Sequence, residues 1–234
     1  MLNKISKQNI AREKENLTSA LDSLNEYSIS NRKIQLSQSE RDGFTYLLKS
    51  ATFWKRMLND NGNSYYNQMI SDFINVPKFL ILGEKRALDL TCRSIIENYI
   101  RIIEHSYMSD NHVTLNVMES FRDHQLAKRL ITQTDYSKIK NLYTISSTMI
   151  HGNIAGSEVT ISRLITDELF PNQLEQIEIS SILNNVKDVI NIMRKCFIHE
   201  YYIDVFNAFY REATILEFLT NKSIRTVVVT KTLG

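Results

Sequence analysis

Apolar residues along this chain recur every three or four positions, the spacing of helices that bury one face. From 7 to 28, Ile10, Leu17, Leu21 and Leu24 stand among charges and predict a first helix. Residues 28–37 are polar and read as a loop. A second helix is expected from about Ser39, with Glu40 and Asp42 in its first turn where acidic groups complement the helix dipole. Its apolar positions are Phe44, Leu47, Leu48, Ala51, Trp54 and Leu58, and the turn-rich run 59–63 ends it. A short helix is expected over 64–75 and closed by Pro77, because the residue before a proline is pushed out of the α region.

The clearest periodicity lies at 83–107, where Leu88, Ile95, Ile96, Tyr99, Ile102 and Ile103 form one stripe. After a polar loop at 108–114, the spacing predicts short helices at 114–122 and 124–132. A longer one follows at 135–151, stopped by Gly152. Residues 152–157 read as a loop and 158–169 as a helix. Pro171 restarts the chain, and 173–219 is an amphipathic stretch of two helices or one bent one. The β-branched tail 224–230 has strand composition. With no partner strand in the chain, it would pair across a dimer or lie on the surface. There is no repeat and no composition break. The expected architecture is therefore a single all-helical domain over 1–234, with N-terminal helices in 1–60 and a bundle core over 83–219.

Composition sharpens that picture. Six glycines and two prolines in 234 residues are too few for the turns of a β-rich fold. The expected class is all-α, a helical bundle with long C-terminal helices and a short C-terminal strand. The net charge of +2 is too mild to advertise nucleic-acid binding by itself, though a local basic groove stays open. Cys92 and Cys196 sit in apolar helical sequence without metal-ligand spacing, as expected of buried free thiols in a reducing compartment. No apolar signal core follows the basic start, and runs such as residues 79–82 fall far short of the ~18 residues a membrane span needs. A cytoplasmic location without membrane contact is the expectation.

Phosphate-cradling glycine loops, HExxH, GxSxG and calcium loops are absent, so no cofactor or metal is expected. Two patches and one loose pair remain. Arg93, Glu97, Arg101 and His105 recur every four residues on the 83–107 helix. They form either a solvated salt-bridge ladder or a charged cluster carried inward among Leu90, Ile95, Ile96 and Tyr99. The second patch closes the 135–151 helix. Ile139, Leu142, Tyr143, Ser146 and Ile150 share a face there, with small Ser146 admitting a neighbouring helix. His151, beside Ser147 and Lys140, is either a histidine favoured by the C-terminal dipole or a general acid/base. The aromatics Phe197, Tyr201, Tyr202, Phe206, Phe209 and Tyr210 fit a core or dimer surface better than a base-stacking platform. His105, His112 and His124 have no metal-ligand company.

The steps CRSIIENYIRII (92–103) and LYTISSTMIHG (142–152) resemble the divergent branch of the HEPN superfamily, found in abortive-infection and uncharacterised bacterial proteins. The resemblance covers mainly residues 83–152. It implies a helical bundle, often a homodimer, whose active members cleave RNA without a metal. Their signature is an arginine and a histidine with four to six residues between them. This chain departs from it at His151, since Thr144, Ile145 and Ser146 stand where the arginine would be. Arg194 and His199 do fit Arg-x4-His, but about one such match is expected by chance in a chain with this many arginines and histidines.

On this resemblance, His151 or His199 would transfer protons and Arg93 or Arg194 would grip phosphate. Glu97 would orient Arg93, and Ser147 would donate a hydrogen bond near His151. The expected activity is a metal-independent endoribonuclease serving as a toxin or phage-defence effector. The alternative is a non-catalytic module, an antitoxin-like regulator or sensor subunit. Expected partners are RNA, a second copy and a regulatory protein. A small-molecule enzyme on a helical bundle has little sequence support.

Overall fold

A computed structural model describes residues 2–61, 64–104, 115–150 and 174–220, with side chains at 8–58, 65–104, 115–147 and 174–220. Among these residues the chain is helical and has no strand. In order come α1 (Leu2–Arg32), α2 (Gln38–Asn61), α3 (Ser64–Leu82), α4 (Lys85–Ile103), α5 (Leu115–Ala127), α6 (Gln133–Ile150) and α7 (Gln176–Glu200). Then follow α8 (Tyr202–Phe209), one 3-10 turn (Tyr210–Glu212) and α9 (Ala213–Thr220). The tail 224–230, the expected helix 158–169, the loops 108–114 and 152–157, and His105, His112 and His151 lie outside the described residues.

Helices α2, α3 and α4 pack in sequence against one another. Helix α6 lies on α4, and α7 runs against α2, α4 and α6. Helices α8 and α9 fold back on α2, and α1 crosses α2, α3 and α9. The apolar stripe read for 83–107 is the buried side of α4: Leu88, Ile95, Ile96, Tyr99, Ile102 and Ile103 are all in the core. Trp54 is the hub. Its ring lies 4.5 Å from Phe197, 4.9 Å from Tyr66 and 5.2 Å from Tyr99, at the tilted or edge angles aromatic pairs prefer. Gly43 lets α7 come close, since a Cβ there would stand 2.7 Å from Leu183 Cδ1.

The structure corrects four boundaries. Helix α3 does not close at Pro77 but passes through it to Leu82. A proline there loses one backbone N–H bond, and burial of Val76, Leu80 and Ile81 on the two sides of it offsets the loss. The helix stops at Gly83, whose φ of 71° is left-handed, with Glu84 N–H closing back on Phe79 O at 3.0 Å. Helix α1 runs to Arg32 because Ser28 and Arg32 are locked into its end: Arg32 donates to Ser28 Oγ, which donates to Ile34 O. The two short helices expected over 114–132 are one, α5, ended by a left-handed Arg129 (φ 56°) with Leu130 N–H on Gln125 O. The 173–219 stretch breaks at Tyr201 and again at the 3-10 turn.

Both cysteines are buried free thiols, as expected, and burial pushes each pKa up to about 12. Of the late aromatics, Phe197 and Phe209 are core residues, whereas Tyr210 is exposed. Among the described residues no helix is long and apolar enough to cross a membrane.

Candidate functional site

The charged step of α4 is neither a free surface ladder nor fully interior. Arg93 Nε donates to Glu97 Oε1 at 2.7 Å, and Arg101 Nη2 donates to Glu97 Oε2 at 3.0 Å. One carboxylate thus carries two guanidinium groups, with Glu97 14% exposed and the arginines 23% and 19%. Helix α6 supplies the lid over this cluster. Tyr143 donates its hydroxyl to Glu97 Oε1 at 3.3 Å, and Arg93 lies 5.1 Å over the Tyr143 ring. Arg101 lies 5.7 Å over Tyr65 of α3. Burial works against the Arg93 charge, but the Glu97 hydrogen bond and charge outweigh it and raise its pKa. Burial and then the Glu97 charge raise the Tyr143 pKa, keeping the phenol protonated and a donor.

Behind this cluster lies a polar layer that the sequence did not announce. Arg101 Nη1 donates to Asn98 Oδ1 at 2.9 Å. Asn98 and Ser94 both donate to Asp72 Oδ2, at 3.4 and 2.7 Å, and Gln68 donates to Asp72 Oδ1 at 2.9 Å. Asp72 is buried, and burial raises its pKa although all three donors oppose the rise. The signal was present in principle: Asp72, Ser94 and Asn98 are polar positions inside apolar stretches. Only the α3–α4 register shows that they meet.

Ser146 is buried, as its place in the helix contact requires. Ser147 spends its hydroxyl on the Tyr143 carbonyl one turn back, at 2.6 Å. His151 follows Ser147 by four positions and lies outside the described residues.

Arg194 and His199 stand on α7 five residues apart, about 140° around the helix. Arg194 is buried and turned to α2, where its guanidinium lies over Tyr46. His199 is half-buried. A five-residue step on one continuous helix does not place two side chains on one face.

A further pair escaped sequence reasoning. His124 of α5 contacts Glu104, just past the end of α4, through Nδ1 and Oε2 at 2.7 Å, and Glu104 is buried. His124 and Glu104 are twenty residues apart in the chain and share no motif, so only the α4–α5 packing reveals them.

No protein-family model, no curated protein and no solved structure matches the chain. The functional reading therefore stands on the arrangement of its own residues.

Proposed function

We propose that this protein is a HEPN-like, metal-independent endoribonuclease whose phosphate contact is the Arg93–Glu97–Arg101 cluster of α4. One observation supports the reading. Glu97 of the Arg-x3-Glu step on α4 and Tyr143, which opens the Tyr-Ser-His step, are separated by 46 positions, yet they meet. Tyr143, Ser147 and His151 follow one another at four-residue intervals in the sequence.

The chemistry would be transesterification. The RNA 2′-hydroxyl gives its proton to a base and attacks phosphorus, and the 5′-oxygen leaves with a proton from an acid. His151 serves the proton transfer, since imidazole titrates nearest neutrality. Arg93 grips the phosphate oxygens through its planar guanidinium, and Glu97 fixes its plane. In this reading Ser147 ties the α6 backbone to Tyr143, and Arg194 and His199 take no part. A role as a toxin or phage-defence effector, cytoplasmic and dimeric, would follow from such an activity.

A second reading has its own observation. Glu97 already accepts from both arginines, which suits a non-catalytic RNA- or protein-binding module. The test is cleavage of a mixed RNA pool in EDTA by wild type and by Arg93→Ala, His151→Ala and His199→Ala, each checked for folding by circular dichroism. The expected result is cleavage by wild type and His199→Ala, with Arg93→Ala and His151→Ala slower by about 100-fold or more. Intact RNA with folded wild type at high concentration hands the assignment to the binding module.

A further inference from the structure

Arg194 is a buried cation that no carboxylate among the described residues neutralises. It is 5% exposed, and its Nη2 donates to Asn191 Oδ1 at 3.0 Å. Its guanidinium lies 5.2 Å from the centre of the Tyr46 ring, and its Nη1 is buried with no hydrogen-bond partner. Among the described residues no carboxylate stands within ion-pair distance of it. Tyr46 is not a hidden anion either. Burial raises its pKa to about 12, so its hydroxyl stays protonated and donates to Asn191 Oδ1 at 2.7 Å. Two lysines add positive charge nearby, while Asp188, whose charge also reaches Tyr46, is paired with Lys138. Lys187 Nζ lies 5.7 Å from the Tyr46 ring centre, and burial followed by the charges of Lys14 and Arg194 lowers the Lys49 pKa. A buried charge without a counter-charge is expensive, and folds keep one when something else supplies the counter-charge.

Arg194 also borders a cavity of about 310 Å³, a size that suits a small ligand. Asn191, Lys195 and Thr220 give it a polar side, and Leu130 and Ile198 an apolar one. One carboxylate, Asp135, also lines it. It is committed to the start of α6, accepting from the backbone N–H and the hydroxyl of Thr132, both at 2.9 Å.

We propose that this cavity binds a phosphate group, free or esterified to a small organic body, with Arg194 and Lys195 supplying the charge and Leu130 and Ile198 the apolar wall. A phosphate held against Arg194 brings the counter-charge that the guanidinium lacks among the described residues, and a planar guanidinium suits a phosphate. The site is on α7 and does not depend on the ribonuclease reading.

The experiment is a titration of the full chain, by melting temperature and by calorimetry, with inorganic phosphate and phenyl phosphate. Sodium chloride and sodium benzoate at matched ionic strength are the controls. Saturable stabilisation by inorganic phosphate is expected, with phenyl phosphate acting at lower concentration if the apolar wall is used. Arg194→Met should melt at or above wild type without ligand, because it removes an uncompensated buried charge, and should not respond to phosphate. Lys195→Met changes an exposed side chain and should leave the fold intact while weakening phosphate binding about tenfold. Lys195→Met carries the test should Arg194→Met fail to fold. No response from wild type, an equal response to chloride or benzoate, an unchanged response in Arg194→Met, or unchanged affinity in Lys195→Met overturns the proposal.

Discussion

Arg32 and Arg194 are withdrawn from solvent almost equally, at 8% and 5% exposure, and both lean on α2. Arg32 meets Glu40 at 2.7 Å, with the two side chains 5% and 1% exposed. Arg194 meets the aromatic face of Tyr46, six residues further along α2, and the amide of Asn191 on its own helix. Burial therefore does not dictate how a guanidinium is satisfied. At the α1–α2 corner the chain supplies its own counter-charge and gains a fixed joint. At the α2–α7 seam no carboxylate among the described residues meets the charge, which stands beside a cavity. The α4 cluster is intermediate, with two arginines on one carboxylate and all three partly open to solvent.

Removing the counter-charge at the first corner gives the largest effect. Glu40→Gln leaves Arg32 buried without a counter-charge and should cost about 3–5 kcal/mol in urea unfolding, whereas Arg194→Met should cost nothing. Equal losses at the two sites would erase the contrast. The Glu40 carboxyl also carries a pH signature. Burial pushes its pKa up, but hydrogen bonds from the Ser37 backbone, Arg32 and the Ser37 hydroxyl, with the Arg32 charge, outweigh that and hold it below its ordinary 4.5. Its contribution is present in full above 4.5 and is lost as pH falls through the lowered value. Glu40→Gln should flatten that acid limb.

Glu97→Gln tests the intermediate case. Losing the shared acceptor should cost about 1–2 kcal/mol. The cluster gains one positive charge, so RNA affinity should rise and fall more steeply with salt, while cleavage slows because Arg93 loses its orientation. Unchanged RNA affinity would remove α4 from the phosphate contact and leave the α7 cavity as the phosphate site of this molecule.

The smallest effect concerns Asp72 behind that cluster. Its folded pKa is raised above the ordinary 3.8, so the folded state holds a proton the unfolded chain has released. Stability from this group is greatest below 3.8 and falls as pH climbs through the raised value, the opposite sign to Glu40. Asp72→Asn should remove that decline. The readout is the slope of unfolding free energy against pH, and a slope identical to wild type would mean another group carries it.

Helix phases were legible because a buried face imposes its period on the residues themselves. The stripe on α4 and small Ser146 on α6 are local patterns and emerged as read. Pro77 was misread because proline's cost is local, while the burial of Leu80 and Ile81 that offsets it depends on the neighbouring helices. At the candidate site, the Arg93–Glu97 pairing was legible from its four-residue spacing. The Tyr143 contact, the Asp72 layer and the Glu104–His124 pair were not, since each joins residues from different helices.

What the sequence determined alone is the helical class, most of the helix positions, and the chemistry available on each face, all consequences of spacing within one turn or two. Tertiary structure decided which charges are neutralised. Arg32 and Arg194 look alike in the chain, and only the packing of α1 and α7 against α2 gives one a carboxylate and the other an aromatic ring and a cavity.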